Sequence, residues 1–316
     1  MNPAWSVILL TTLIGVGQGL FIALYGAELA GFAGRGGRGW GFFAIGGGVV
    51  LLITGAGLVA SFFHLGRPER FWRTATMWRT SWLSREVIVL PLFMAGTLLW
   101  TLGHHSGPWP TREVGAATAA AALLLYLCTA MIYISVRFIQ EWAHALTLAN
   151  FTLIGLASGA TLAAALASWR GPGLAFIFAR AAVVLTVLAL AVRVWSLARN
   201  ARLVPRSTLQ TAIGVRHPQI RQLAMGFMGG SFNTREFFHG RAPGTLRLVK
   251  AAFLVLGFIL PALLMLVVAL REPRFVVAQG LLAAALVLQF AGLLAERWFF
   301  FAQANHPQNL YYQAVS

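Results

Sequence analysis

The chain has 316 residues, of which 59% are hydrophobic and only 10% charged, with a mean hydropathy of +0.75. Soluble domains carry about 25% charged residues, so this composition excludes an ordinary soluble enzyme, a disordered chain and a collagen-like chain, and it points to an all-α polytopic membrane protein. The net charge of +16 comes from 24 Lys+Arg against 8 Asp+Glu, but the arginines lie between apolar runs, which is the positive-inside pattern and not a nucleic-acid-binding surface.

The first apolar run, Trp5–Glu28, follows Met1-Asn2-Pro3 with no basic leader and no small-residue cleavage site. It reads as a retained span and not as a signal peptide. Gln18 lies inside it, in Ile14-Gly15-Val16-Gly17-Gln18-Gly19, where small residues let another helix approach closely. Its amide either bonds that helix or lines a ligand pocket. Glu28, near the far end, is placed to reach water. The second run, Gly41–His64, is stopped by Gly66 and Pro68, which puts His64 in its last turn at the interface. Glu86 stands just before the third run, Val87–Leu102, as either a capping carboxylate or a functional one. His104 and His105 follow that run beside Gly and Pro and read as a solvated loop.

The fourth run, Val114–Val136, leads out through Arg137, Gln140, Glu141 and His144. Four more runs complete the chain: Leu148–Trp169, Leu174–Ala191, Leu248–Leu270 and Phe275–Ala295. Crossing the hydrocarbon takes about 20 apolar residues, so eight spans are expected, and residues 1–316 read as a single membrane domain. A long basic loop over about 199–246 is too polar for a ninth span and suits either anionic lipid or an acidic partner subunit. The lone cysteine, Cys128, excludes an intrachain disulfide. The side holding both termini carries 17 basic residues against 7 on the other, which predicts both termini in the cytoplasm.

On the termini's side His64, Glu86, Arg137, Gln140, Glu141 and His144 share one face. A histidine that donates and exchanges a proton near neutral pH, a carboxylate that passes protons to water, and an apolar wall are what quinol chemistry needs. Chance clustering of interfacial polar groups gives the same pattern. So does a haem b site with His64 and His144 as axial ligands. A transporter or channel needs a central polar path, and the spans offer little beyond Gln18.

Several segments carry a more specific signal. His64-Leu65-Gly66-Arg67-Pro68-Glu69-Arg70 followed by Leu83-Ser84-Arg85-Glu86 resembles the H-L-G-x-P-x-R … L-S-x-E pattern of the dimethyl sulfoxide reductase membrane anchor family. The Gln18 context, Met131-Ile132-Tyr133 through Arg137-Phe138-Ile139-Gln140-Glu141-Trp142, and Gly229-Gly230-Ser231-Phe232-Asn233-Thr234-Arg235-Glu236-Phe237-Phe238-His239 are similar as well. The resemblance spans nearly the whole chain.

It implies a membrane subunit, non-catalytic alone, that holds an iron–sulfur subunit and a molybdopterin catalytic subunit to the bacterial cytoplasmic (inner) membrane. It implies a bound ubiquinone or menaquinone, usually without haem. The histidine of H-L-G and the glutamate of L-S-x-E map onto His64 and Glu86 as the quinone site. Gln18, Arg67, Arg70, Arg137 and Glu141 follow as quinone-binding or proton-transfer candidates. Dimethyl sulfoxide reductases place their catalytic subunits outside the cytoplasm, whereas the charge count here turns the His64 face inward. That orientation, and the opening segment Asn2-Pro3-Ala4-Trp5-Ser6-Val7-Ile8, look more like the anchors of cytoplasm-facing sulfite dehydrogenases. The reaction expected is sulfite oxidation to sulfate. The alternative is a reductase fed by menaquinol.

Overall fold

The computed structural model describes residues 1–32, 41–63, 65–107, 109–220, 239–307 and 310. Among them there are helices and no strand. Eight helices are long and apolar enough to cross a membrane. They are α1 (Trp5–Leu29), α2 (Phe42–Phe62), α3 (Trp82–Ser106), α4 (Thr111–Ile134), α5 (Ala145–Arg170), α6 (Pro172–Asn200), α7 (Pro243–Arg271) and α8 (Phe275–Ala302). A 3₁₀ segment, Pro68–Met77, joins α2 to α3, and a one-turn helix, Leu209–Ile213, follows α6.

Consecutive spans pack as pairs, and α1 and α5 form the centre. α1 touches α2, α4, α5 and α8, while α5 touches α1, α4, α6 and α8. Lipid is as apolar as leucine, so association rests on close packing of small residues. Gly19 of α1 lies against Gly155 and Gly159 of α5, and a Cβ at Gly19 or Gly159 would enter the other helix's backbone. The α7–α8 pair repeats the device with Gly257 against Gly292. Gly257 sits in a π turn, Val255–Ile259, just ahead of Pro261. Proline has no N–H for the regular ladder, and the wider turn accommodates the gap.

The start of the chain meets the segment after α8 on one face, hereafter the near face, where the Met1 amine donates to the carbonyl of Ala304 at 2.9 Å. A buried aromatic cluster lies beneath it, with Trp142, Phe151, Phe300 and Phe301 packed around Tyr133.

Three span boundaries differ from the sequence expectation in ways that matter. α3 begins at Trp82 and not Val87, because Ser81 caps it, its hydroxyl accepting from the Ser84 amide at 3.3 Å. Glu86 therefore lies inside the helix and is not its cap. α6 continues past Ala191 to Asn200, and α8 past Ala295 to Ala302. Arg193, Glu296 and Arg297, expected at or beyond the helix ends, are buried inside the bundle. A charge ordinarily ends an apolar run, but these charges are paired with one another. Two of the basic residues counted toward the cytoplasmic surplus, Arg193 and Arg297, are thus buried in the bundle and not at its surface.

Candidate functional site

Glu86 stands in the second turn of α3, at 9% exposure. Capping by Ser81 leaves its carboxylate available to reach inward. It accepts a hydrogen bond from the Thr129 hydroxyl of α4 at 2.5 Å, its one donor among the described residues. In front of it is a cavity of about 10 Å³, roughly the room one water needs. Thr11, Gly15 and Gln18 of α1, Tyr126 and Thr129 of α4 and Phe151 of α5 close it.

Two hydrogen bonds fix the walls. The Gln18 amide donates to the Ala122 carbonyl at 3.0 Å, and the Tyr126 hydroxyl donates to the Gly15 carbonyl at 2.7 Å. Gln18 thus ties α1 to α4, and its side chain also lines the water-sized cavity. Tyr126 reaches Gly15 because Gly155 has no side chain: a Cβ there would occupy the tyrosine ring's place.

The other candidates are not brought into the cavity. Arg67 and Arg70 are exposed on the near face, with Arg70 3.8 Å from Glu69. Arg137 is exposed too. Glu141 accepts from Asn305 at 2.8 Å. Gln140 instead binds the segment after α6, donating to Val204 and accepting from the Arg206 amide. His144 caps α5, its Nδ1 accepting from the Leu146 amide at 3.1 Å. Burial and the nearby Arg199 cation lower its pKa from the usual histidine value. With Nδ1 accepting from the cap amide, the neutral ring carries its proton on Nε2, so ligating a haem iron through Nε2 would cost the helix its cap. His64 lies outside the described residues, as do residues 221–238 of the long basic loop and with them most of the Gly229–His239 motif.

A family model described as DMSO reductase anchor subunit (DmsC) matches residues 1–312. The chain belongs to that family. It is also 50% identical to a sulfite dehydrogenase subunit of Allochromatium vinosum, over 100% of both chains. This DMSO reductase-type anchor is therefore the membrane subunit of a multi-subunit oxidoreductase family, as its motifs suggested.

Sequence reading missed two buried clusters in the anchor. On the near face Arg193 Nε is 2.8 Å from Glu296 Oε1, and Arg297 Nη1 is 3.4 Å from Glu296 Oε2. The Arg297 guanidinium lies 3.8 Å from the centre of the Phe151 ring. The available signal was the adjacent pair Glu296-Arg297 in an otherwise apolar run. On the opposite, far face Glu28 is not at water but 2% exposed. It accepts from Trp100 Nε1 at 2.7 Å and from the Thr111 hydroxyl at 2.5 Å, and His104 Nε2 stands 3.3 Å away. His104 is correspondingly not in a solvated loop: α3 runs through it, and its ring stacks on Phe43. No spacing pattern links Glu28 to His104 and Thr111, so only the fold could show this.

Proposed function

We propose that this chain anchors a molybdopterin oxidoreductase to the bacterial inner membrane, with both termini cytoplasmic, and exchanges electrons with membrane quinone beside Glu86. The partners are an iron–sulfur subunit and a molybdopterin catalytic subunit, and residues 1–316 act as one membrane unit. The reaction of the complex is oxidation of sulfite to sulfate. Bound quinone supplies the membrane-soluble electron acceptor.

The observation that carries this reading is the buried Glu86 carboxylate, held among the described residues by one hydroxyl, at the edge of a water-sized cavity. A carboxylate tied by a single neutral donor can change protonation without breaking a structural network. The cavity is far too small for a quinone ring, so its part is proton delivery. Glu86 passes a proton by way of one water toward a ring at the cavity mouth. Thr129 keeps the carboxylate aimed, and Gln18 and Tyr126 hold the water's walls in place. The full-length likeness to a sulfite dehydrogenase subunit supports the substrate, and the surplus of basic residues on the near face supports the cytoplasmic orientation.

The test is purification from native membranes in mild detergent. Co-purification of molybdenum, iron and two soluble chains, with sulfite-dependent reduction of a short-chain quinone, is the expected result. A metal-free chain without partners contradicts the anchor role. An intact complex that reduces a sulfoxide from quinol and ignores sulfite contradicts the substrate and direction while keeping the anchor.

A further inference from the structure

The anchor's near half contains a buried charge that its own ion pairs do not balance. Arg193, Glu296 and Arg297 are exposed by 1%, 0% and 4% respectively. Two guanidinium groups share one carboxylate, and the contact lengths show how. Glu296 is committed to Arg193 at 2.8 Å and keeps a looser 3.4 Å contact with Arg297. None of the facing atoms Arg193 Nε, Arg297 Nη1 and Glu296 Oε1 and Oε2 is aligned for a hydrogen bond. A surplus positive charge out of water is costly unless a counter-charge lies close.

Arg297 is pressed against the Phe151 ring, and Phe151 is a wall of the Glu86 cavity. Glu86 is the other buried carboxylate of this half among the described residues. Arg193 and Arg297 against Glu296 and Glu86 sum to zero only while Glu86 is ionised.

We propose that Arg297 is the counter-charge of Glu86, acting across Phe151, so that the α6–α8 triad sets the pH at which the cavity carboxylate gives up its proton. The proton moves between the Glu86 carboxyl and the cavity water, and no other group changes charge. Arg297 touches neither the water nor a ring at the mouth, so it is a positioning residue.

Arg193 is held by Glu296 and the Met1 amine by the Ala304 carbonyl, which leaves Arg297, among the described residues, as the buried cation available for this role. α4 presents Thr129, Tyr126, Cys128 and Tyr133, and α1 presents Thr11 and Gln18. α5 presents Phe151, and the described part of α2 carries no ionisable side chain. On α3 itself Arg85 is turned away, donating to the Trp78 and Arg79 carbonyls at 2.9 Å each and covering the Trp82 ring. The arginines of the 3₁₀ segment, Arg70 and Arg73, are exposed, and His64 lies outside the described residues.

This inference rests on the cavity geometry and on Glu86 as its proton carrier, and the experiment separates it from the quinone reading. The infrared C=O band of protonated Glu86, identified by its loss in Glu86→Gln, is titrated in the purified complex without substrate or quinone. In Arg297→Gln the protonated band should persist to a pH about one unit higher. In Glu296→Gln, which frees both arginines, it should disappear about one unit lower. Arg297→Lys keeps the charge and should stay close to the parent. A parent band too low to titrate, appearing in range only in Arg297→Gln, is the same result. Opposite shifts in the two Gln variants cannot come from general loosening, which moves both alike. Shifts of the same sign, or none, overturn the proposal, and if Arg297→Gln does not accumulate the Glu296→Gln and Arg297→Lys pair still decides. Loss of the quinone reading would leave these infrared shifts untouched.

Discussion

Two of the membrane domain's buried glutamates, Glu28 and Glu86, lie near opposite faces and are built differently. Glu28 on the far face is met by three groups from α3 and α4: the Trp100 indole, the Thr111 hydroxyl and the His104 ring. Glu86 on the near face is met, among the described residues, by one hydroxyl; it faces a water-sized space and has an undercompensated arginine behind one wall. A carboxylate surrounded by donors is a staple, since any change in its protonation breaks several bonds at once. A carboxylate with one donor and room for a water beside it is equipped to titrate. The number and kind of partners, and not burial alone, separate the two roles.

The contrast can be broken from either end. The largest effect on stability is expected at the far face. Glu28→Ala leaves the Trp100 and Thr111 donors without an acceptor inside the bundle, at a cost on the order of 3 kcal/mol. The measurement is the thermal unfolding midpoint of the purified complex in detergent, and the surviving protein should keep its quinone turnover. Comparable loss of turnover in folded protein would mean that Glu28 is more than a staple. A smaller effect is expected at Thr129→Val, which fills the same space but removes the donor aiming Glu86. Quinone-linked turnover should fall about tenfold with the unfolding midpoint nearly unchanged. An unaltered rate would show that Glu86 needs no aiming.

The smallest effect concerns His144, whose Nδ1 accepts from the α5 cap amide. Burial and the Arg199 cation hold its pKa below the ordinary 6.5. The unfolded chain then binds the proton more readily than the folded one. The cap's contribution is fully present above pH 6.5 and is lost as pH falls through the lowered value. The unfolding midpoint should therefore decline at acid pH less steeply in His144→Asn, which keeps a capping acceptor that does not titrate in this range. Identical slopes would remove His144 from the account.

Fold class and span number were legible in the sequence because hydropathy dominates a membrane chain: the bilayer demands long apolar helices, and the described residues hold eight. Helix ends were less legible. A charge inside a helix looks like a boundary until its partner is known, and the partner of Arg193 is two spans further along the chain, at Glu296. Gln18 stood out as a polar side chain inside a span and Glu86 as a carboxylate at a span's end in the Leu83-Ser84-Arg85-Glu86 segment, and both line the small near-face cavity. Arg67, Arg70, Arg137 and Glu141 share the near face with Glu86, but a shared face is a weaker condition than a shared cavity. Tyr126, Thr129 and Phe151 gave no signal, since an aromatic or a threonine in an apolar run is ordinary packing material. They became visible only when glycines at 15, 19, 155 and 159 let α1 and α5 close on α4.

The most direct test of the central claim is Glu86→Gln in the assembled complex, assayed with a quinone and, in parallel, with an artificial soluble acceptor that takes electrons from the partner subunits. Gln keeps the volume and can still accept from Thr129, but it cannot carry the proton. Quinone-linked turnover should fall about a hundredfold while turnover with the soluble acceptor stays at the parent's rate. Equal rates with quinone in variant and parent, or equal loss with both acceptors, would contradict the assignment of the near-face cavity to quinone-coupled proton transfer.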